Sequence, residues 1–213
     1  MALMKIIATI LFQLSRVYNR LYGYCMMKGI GYCGHHVILH RPSVCSNLKS
    51  LYLYDNTSIM KNWSLISTTG KFIMKENSGA ASGLTVITGN HHRLLNHTLT
   101  EIREQQLADV EKDVIVEEEV WIGANVTLLA GVTVGRGSTI GAGTVLKNTV
   151  PPYSIVMGNP AKIIGFTFTP EEAIKHEEMF YKEDERTPLE LLEKNYVKYL
   201  LKRTKEIRDF TKL

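Results

Sequence analysis

The chain has 213 residues, 22% of them charged, and a formal net charge of +4. This length can bury one good core, so we expect one compact domain with appendages, and no nucleic-acid partner is expected. The three cysteines, Cys25, Cys33 and Cys45, are odd in number and lack CxxC spacing. This pattern argues against a disulfide framework or a structural zinc site, and it favours a reducing, cytoplasmic location.

The first predicted element is an amphipathic helix in region 1–30. Its apolar stripe, at spacings of four and three, contains Leu3, Ile7, Ile10, Leu14, Val17 and Leu21. The longest uncharged run, residues 6–15, is too short to span a bilayer, and no small-residue cleavage site follows it. Residues 1–50 contain no Asp or Glu. We therefore expect the helix to pack on the beginning of the region that follows it or on a neighbouring subunit. The alternative is that residues 1–24 attach peripherally to the anionic inner face of the membrane.

A repeat of six dominates region 31–168. Its upstream aliphatic row is Leu53, Ile59 and Leu65, with a companion row of Thr57, Trp63 and Thr69. A shift of two residues then moves the phase to Ile73, Gly79 and Thr85. After an interruption at residues 91–109, preceding the regular downstream block, the aliphatic row contains Val110, Val116, Ile122, Leu128, Val134, Ile140 and Leu146.

A period of six fits neither an α-helix nor an ordinary two-sided strand. It is typical of a prism in which three short strands make one coil and every sixth side chain joins the same inner row. Glycines at Gly123, Gly135 and Gly141 suit corners that need positive φ or close backbone approach. The predicted fold class is thus an all-β solenoid, and the extended loop 91–109 is a candidate functional element.

The last region, 169–213, is charged and lacks the repeat, and we expect it to be helical. Thr169 to Glu172 and Thr187 to Glu190 both have the pattern of a capping box with proline at the first helical position. Two helices docked on the prism follow from this, the second with an apolar stripe of Leu191, Leu192, Tyr196, Tyr199 and Leu200. The three consecutive glutamates at 117–119 are expected at a solvated corner.

Three stretches together resemble a known family: ITGNHH at 87–92, VWIGANVTLLAGVTVGRGSTIGAGTVLKN at 120–148, and VPPYSIVMGNPAKIIG at 150–165. They are similar to the hexapeptide-repeat acyltransferases, especially the maltose, galactoside and polysaccharide O-acetyltransferase branch, over about residues 50–166. The resemblance implies a left-handed parallel β-helix and acetyl-CoA as co-substrate, with no metal. It also implies a carbohydrate-like acceptor and a homotrimer with active sites between subunits.

The resemblance further implies a histidine base where the extended loop leaves the prism, and the position in ITGNHH indicates His91, with His92 as the alternative. Histidine titrates near neutral pH and can take the proton from a sugar hydroxyl. The residues indicated for acetyl-CoA, small side chains and lysines among them, are Trp121, Ala124, Gly141, Ala142, Lys147 and Lys162. The candidates for the acceptor are Asn62 and Asn90.

The predicted function is direct acetyl transfer from acetyl-CoA to a hydroxyl of a saccharide or glycoconjugate precursor. A xenobiotic acceptor such as an antibiotic is the alternative on the same scaffold. A gamma-class carbonic anhydrase would instead hold zinc with histidines, two of them spaced as His92 and His97 are. A catalytically silent scaffold or a nucleotide-sugar-binding module would have no use for a base.

Overall fold

Short parallel strands form the middle of the chain in the computed structural model, which describes residues 1–91, 93–105 and 109–201. The first sheet contains β1 (Tyr32–Cys33), β4 (Leu51–Leu53), β7 (Phe72–Met74), β12 (Val114–Val116) and β15 (Thr133–Val134). The second contains β2 (Ile38–Leu39), β5 (Ser58–Ile59), β8 (Gly79–Ala80), β13 (Trp121–Ile122), β16 (Thr139–Ile140), β18 (Ser154–Met157) and β19 (Lys162–Phe166). The third contains β3 (Val44–Cys45), β6 (Ser64–Ile66), β9 (Thr85–Ile87), β14 (Thr127–Leu128) and β17 (Val145–Leu146).

The chain visits these three sheets in rotation. β1, β2 and β3 begin the first, second and third sheet, and each later coil adds its strands in the same order. In the downstream coils Trp121 pairs with Thr139 in parallel, and Thr127 pairs with Val145. Three hexapeptides therefore make one coil of a three-sided prism, as the period of six predicts.

The predicted inner rows fill the centre of this prism. One buried row contains Leu53, Ile59, Leu65, Met74, Ala80, Val86, Val116, Ile122, Leu128, Val134, Ile140 and Leu146. The buried companion row contains Leu51, Thr57, Trp63, Phe72, Ser78, Leu84, Val114, Val120, Val126, Val132, Ser138 and Thr144. Each buried aliphatic side chain contributes about 1.5–3 kcal/mol relative to an exposed one, so the rows are the main source of the prism's stability.

The phase predicted for the third coil is wrong by one residue. The shift after Leu65 is three residues rather than two, because the corner at residues 67–70 is longer than the regular corner on the same edge between β14 and β15. The predicted inner positions Ile73, Gly79 and Thr85 are consequently replaced by Met74, Ala80 and Val86. Thr69 is also exposed, and Val110 is 45% exposed, because each lies outside the regular coils.

Corners between the second and third sheets repeat one backbone conformation. Asn62, Gly83, Asn125 and Gly143 all have positive φ, at 61°, 84°, 56° and 72°. Glycine and asparagine adopt this left-handed region at low cost, which explains their recurrence here. Glycine serves a different purpose at Gly135, where a Cβ would lie 2.5 Å from the nitrogen of Pro152. Close approach of successive coils is the reason for that residue.

Between β9 and β12 the chain leaves the prism, and we call residues 88–113 the excursion. It contains the antiparallel hairpin of β10 (Gly89–His91) and β11 (Asp109–Glu111), and the helix α2 (Leu99–Gln105). Thr98 and Glu101 form a reciprocal pair at the start of α2, with the Thr98 N–H donating to the carboxylate at 2.8 Å. Ile102 is 1% exposed and gives the helix a buried anchor.

At the N-terminal end, α1 (Ala2–Met27) packs against β2 through its last turns. Gly23 and Met26 are buried there. A Cβ at Gly23 would lie 1.8 Å from the carbonyl oxygen of Leu39, so this crossing requires glycine. No helix within the described residues is long and apolar enough to cross a membrane.

At the C-terminal end lie α3 (Pro170–Phe180) and α4 (Leu189–Tyr196). The capping box predicted for the first of them is confirmed, since Thr169 and Glu172 bond each other's backbone N–H groups. The second is wrong, because the hydroxyl of Thr187 donates to Glu177 at 2.8 Å and α4 begins without a side-chain cap. Of the predicted stripe, Leu192 is buried, whereas Leu191 is 44% exposed.

A buried carboxylate fastens these helices to the prism. Glu177 of α3 is fully buried and accepts hydrogen bonds from the hydroxyls of Tyr153 and Thr187, both at 2.8 Å. Arg136, on the last regular coil, lies 3.3 Å from the same carboxylate. Burial, together with the bond to Glu177, raises the pKa of Tyr153, so its hydroxyl stays protonated and keeps donating.

The predicted solvated corner at residues 117–119 is also wrong. Glu118 pairs with Lys75 at 3.2 Å and with Arg136 at 3.1 Å. Glu119 pairs with His176 of α3 at 2.7 Å. The glutamates are half-buried because α3 and its neighbouring segment cover this corner, a contact that the repeat pattern alone does not reveal.

Candidate active site

The strand β10 carries the predicted base to the edge of the prism. It continues from Thr88, which is buried, and ends at His91, whose backbone pairs with Asp109 of β11. For His91 the structure describes the backbone only, and His92 lies outside the described residues. The pairing of β10 with β11 fixes the position of the His91 backbone.

One carboxylate binds the hairpin to the corner at residues 67–70. Glu111, the last residue of β11, accepts backbone N–H bonds from Thr68 at 2.8 Å, from Thr69 at 2.7 Å and from Gly70. The hydroxyl of Thr88 donates to the same carboxylate at 3.1 Å. Successive N–H groups turned to one side form an anion-binding concavity, and Glu111 occupies it.

The electrostatics of Glu111 match this role. Burial acts to raise the pKa of the carboxyl, but the N–H bonds from Gly70, Thr69 and Thr68 outweigh burial and lower the pKa to about 2. Glu111 is therefore ionised at neutral pH, and each of its hydrogen bonds is charge-assisted. Sequence reasoning missed this residue, because the repeat pattern does not show that the amides of residues 68–70 point to the same side. They do so because of the three-residue shift at 67–70.

Asp113 adds a second link beside the first. Its carboxylate accepts the N–H of Lys71 at 2.7 Å, and the backbone N–H of Lys112 donates to the carbonyl of Thr88 at 2.8 Å. A hollow of about 120 Å³ lies next to these links, lined in part by Asn90 and Glu111. Asn90, on the strand that ends in His91, thus lines this small hollow.

Asn62 lies elsewhere, at a corner between the second and third sheets. Its φ of 61° and the bond from its N–H to the carbonyl of Arg41, at 3.2 Å, account for asparagine at this position. The side chain is exposed. The structure therefore supplies a conformational reason for Asn62, and binding of the acceptor stays a prediction.

Two of the predicted cofactor lysines share one groove. Lys147 follows β17 and Lys162 begins β19, and both line a groove of about 770 Å³ at the last coils. Lys198 is a third cation on its wall. Sequence reasoning missed Lys198 because it belongs to the C-terminal region, where no repeat or motif marks a position. The remaining lining includes Leu129, Val145, Asn148, Thr149, Asn159, Pro160, Ala161 and Tyr199.

The small predicted residues lie at a neighbouring corner, where successive coils touch. The N–H of Gly143, next to Ala142, donates to the carbonyl of Ala124 at 2.8 Å. A Cβ at Gly141 would lie 2.8 Å from Cγ of Met157. Ala124, Gly141 and Ala142 are all at least partly exposed. Their short side chains leave the surface of this corner accessible to a ligand.

Trp121 points outward from β13 and is 53% exposed. Its ring lies against the neighbouring strand at Gly79, where a Cβ would come within 3.2 Å of the indole. Glycine at that position therefore lets the indole lie close to the sheet. The exposed face of the ring is an apolar surface on the second sheet.

The alternative zinc site receives no support from the described residues. Within residues 1–91, 93–105 and 109–201, no group of three or more His, Cys, Asp or Glu side chains could hold a metal ion. Of the histidine pair that such a site would use, His97 is exposed and His92 is outside the described residues.

Comparisons with known proteins agree with the coil geometry. The model of the bacterial transferase hexapeptide family (six repeats) matches residues 113–148, the strict downstream block. A hexapeptide-repeat-containing acetyltransferase of Vibrio cholerae O1 biovar eltor, solved in complex with acetyl-CoA, is 25% identical, with a TM-score of 0.57. The match covers 67% of this chain and 74% of that one. No curated protein matches the chain at the level of sequence.

Two further solved structures share the fold at lower identity. A maltose O-acetyltransferase of Clostridium difficile 630 is 20% identical with a TM-score of 0.55, over 70% of this chain and 87% of that one. A galactoside acetyltransferase in complex with coenzyme A is 19% identical with a TM-score of 0.55, over 76% of this chain and 75% of that one. Both likenesses concern the fold.

Proposed function

We propose that this chain, a hexapeptide-repeat acyltransferase, transfers the acetyl group of acetyl-CoA to a hydroxyl of a saccharide or glycoconjugate precursor. The observation that carries the proposal is the match over 67% of the chain to the Vibrio cholerae acetyltransferase that holds acetyl-CoA. As the sequence resemblance implies, the coils wind left-handed and three copies assemble into a homotrimer. The cysteine pattern favours the cytoplasm as the place where the enzyme works.

The chemistry assigned to His91 is general base catalysis. The imidazole takes the proton as the acceptor oxygen attacks the thioester carbonyl carbon, and hydrogen-bond donors stabilise the tetrahedral oxyanion. Collapse of this intermediate breaks the carbon–sulfur bond, and the CoA thiolate recovers the proton from His91. The products are the acetylated acceptor and free CoA. None of the three cysteines lies in the stretches that carry the family resemblance, which favours direct transfer without an acyl-enzyme.

Glu111 is the positioning residue for this base. Its carboxylate holds β11 on the corner at residues 67–70, and the hairpin register passes that constraint to the backbone of His91. A displacement of about 1 Å at a reacting group can cost a hundredfold in rate. The anchor therefore has a kinetic role beyond its contribution to folding.

Acetyl-CoA is assigned to the groove and corner on the last coils. Lys147, Lys162 and Lys198 line one groove and supply charge for the CoA phosphates. The pantetheine arm is assigned to the exposed corner at Ala124, Gly141 and Ala142, with Trp121 as an apolar surface nearby on the second sheet. The acceptor is assigned to the side of Asn90, with Asn62 as the further candidate.

The test is the rate of CoA release from acetyl-CoA with a panel of saccharide and xenobiotic acceptors. We expect His91→Ala to lower turnover on the order of 10²–10⁴-fold while leaving acetyl-CoA affinity nearly unchanged, because a general base acts on the acceptor. His97→Ala, on the same excursion, is the matched control and should retain full turnover. Equal turnover of wild type and His91→Ala would refute the role of His91, and a loss confined to His92→Ala would move the base to that residue.

A further inference from the structure

The helix α1 exposes most of its apolar surface. Gly23 and Met26 are the residues buried along it, both in its last turns against the prism. The other turns present large apolar side chains to solvent, with exposures of 69% at Leu3, 52% at Ile10 and 59% at Leu14. An apolar surface of this extent marks an interaction site in a water-soluble protein.

Charge indicates what covers this surface. Residues 1–50 contain no Asp or Glu. On α1 the polar residues recur at spacings of three and four and share one face away from the apolar stripe, and they include Lys5, Thr9, Gln13, Arg16 and Arg20. A helix with a broad apolar face and a cationic polar face is typical of elements that lie in the interface of an anionic membrane.

A groove between α1 and the first coils has the same character. It encloses about 610 Å³ between α1 and β2, and its cations are Arg16, Arg20 and Lys61. The apolar lining is formed by Leu21, Tyr24, Met27, Val37, Ile38, Leu39 and Met60. Cations around an apolar floor suit a phosphate attached to an acyl chain better than a free anion.

Two further groups add to this groove. Nδ1 of His40, on its wall, is buried and has no hydrogen-bond partner among the described residues. Burial, Lys61 and Arg20 all lower the pKa of His40, which keeps the imidazole neutral. Nearby, the guanidinium of Arg41 lies over the rings of Tyr18 and Tyr22 at 5.8 Å and 5.5 Å from their centroids. Stacked in this way, Arg41 extends the cationic rim along α1.

We propose that α1 and this groove dock the protein on a membrane surface rich in anionic phospholipid. The apolar face of α1 lies at the level of the acyl chains, and Arg16, Arg20 and Lys61 contact lipid phosphates. A second copy of the chain would have to supply a surface that is both apolar and acidic, whereas an anionic bilayer supplies both properties at every point. The docking is independent of the acetyl-transfer chemistry and would bring the protein to acceptors held at a membrane.

The experiment is cosedimentation of the full chain with vesicles of phosphatidylcholine, with and without 30 mol% phosphatidylglycerol. We expect binding to the anionic vesicles, weakened by salt. Replacing both Arg16 and Arg20 by Ala should lower the partition coefficient about 10–30-fold, because each basic side chain near the surface contributes about 1 kcal/mol. Replacing Lys175 and Lys194, on the C-terminal helices, by Ala removes the same charge and should leave binding unchanged.

A second pair of changes tests the apolar face. Ile10→Ser with Leu14→Ser should abolish vesicle binding, and both side chains are more than half exposed, so the prism should keep its thermal unfolding midpoint. Equal binding of the wild type to neutral and anionic vesicles would overturn the proposal. So would undiminished binding by the variant at Arg16 and Arg20 or by the variant at Ile10 and Leu14. So would a vesicle-free oligomer, seen by sedimentation velocity, that dissociates on the Ile10 and Leu14 changes, because the occupant would then be a second copy.

Discussion

The coils from β12 to β18 and the excursion between β9 and β12 are held in different ways. The coils carry two fully buried rows of side chains, so many equivalent contacts contribute to their stability. The excursion has a two-stranded hairpin outside the prism and depends on Glu111, Asp113 and the buried Ile102. Stability is thus distributed over many side chains in the coils, whereas in the described part of the excursion it depends on Glu111, Asp113 and Ile102.

This difference has a consequence for function. A periodic scaffold presents a fixed surface, which suits a long and invariant co-substrate such as acetyl-CoA. An excursion outside the prism can differ in length and sequence without disturbing the core, which on the proposed function suits an acceptor that varies. Changes in the coils should therefore affect folding or acetyl-CoA affinity, and changes in the excursion should affect turnover.

The largest effect is expected in the inner row. Leu128→Ala removes a fully buried side chain and should lower the free energy of unfolding by about 2–5 kcal/mol, because the rigid coil cannot collapse into the cavity. Thr127→Ala, facing outward on the same strand, should change it by less than about 0.5 kcal/mol. Denaturant unfolding measures both, and a similar loss in the two variants would contradict a core built from alternate residues.

The next effect is expected at the anchor. Glu111→Gln keeps the shape of the side chain but removes its charge, so the bonds from Thr68, Thr69 and Gly70 weaken. Turnover should fall roughly 10–100-fold at unchanged acetyl-CoA affinity, because the change displaces the proposed base His91 and leaves the groove at Lys147 and Lys162 as it is. Asp113→Asn, which changes one backbone contact instead of three, should cost less. A raised acetyl-CoA dissociation constant with normal turnover would refute the positioning role.

The same anchor predicts a pH dependence. Because the pKa of Glu111 is lowered to about 2 in the folded chain, its contribution to stability is fully present above the ordinary carboxyl pKa of about 4.5. It is lost as the pH falls from there through about 2. The difference in unfolding free energy between wild type and Glu111→Gln should therefore be constant from pH 6 to 8 and shrink below about pH 4.5. A difference that grows on acidification would have the wrong sign.

The smallest effect is expected in the groove at the last coils, which Lys147 and Lys162 line. Lys162 is exposed, so the proposed contact between its ammonium and a CoA phosphate should contribute at most about 1 kcal/mol. Lys162→Ala should raise the acetyl-CoA dissociation constant up to roughly fivefold and leave turnover at saturation unchanged. Lys175→Ala, an equal loss of charge on α3, is the control. Loss of turnover without loss of acetyl-CoA affinity would contradict a role of Lys162 in binding acetyl-CoA.

The same contrast governs how much follows from sequence. The period of six identifies the inner rows because each buried position must be aliphatic or small, and Leu128 or Val134 can be placed without a structure. The length of the shift at residues 67–70 does not follow from the repeat, because this corner is shaped to bind Glu111, which lies far along the chain. The expectations for Glu118 and Thr187 are wrong for the same reason, since the partners of both residues belong to other elements.

Isothermal titration of acetyl-CoA into the full chain, with EDTA present, tests the central claim most directly. We predict saturable binding of one acetyl-CoA per chain, weakened when Lys147 and Lys162 are both replaced by Ala and unaffected by His91→Ala. Absence of a saturable heat from protein that still shows its cooperative unfolding transition would contradict the assignment of this chain as an acetyl-CoA-dependent acyltransferase.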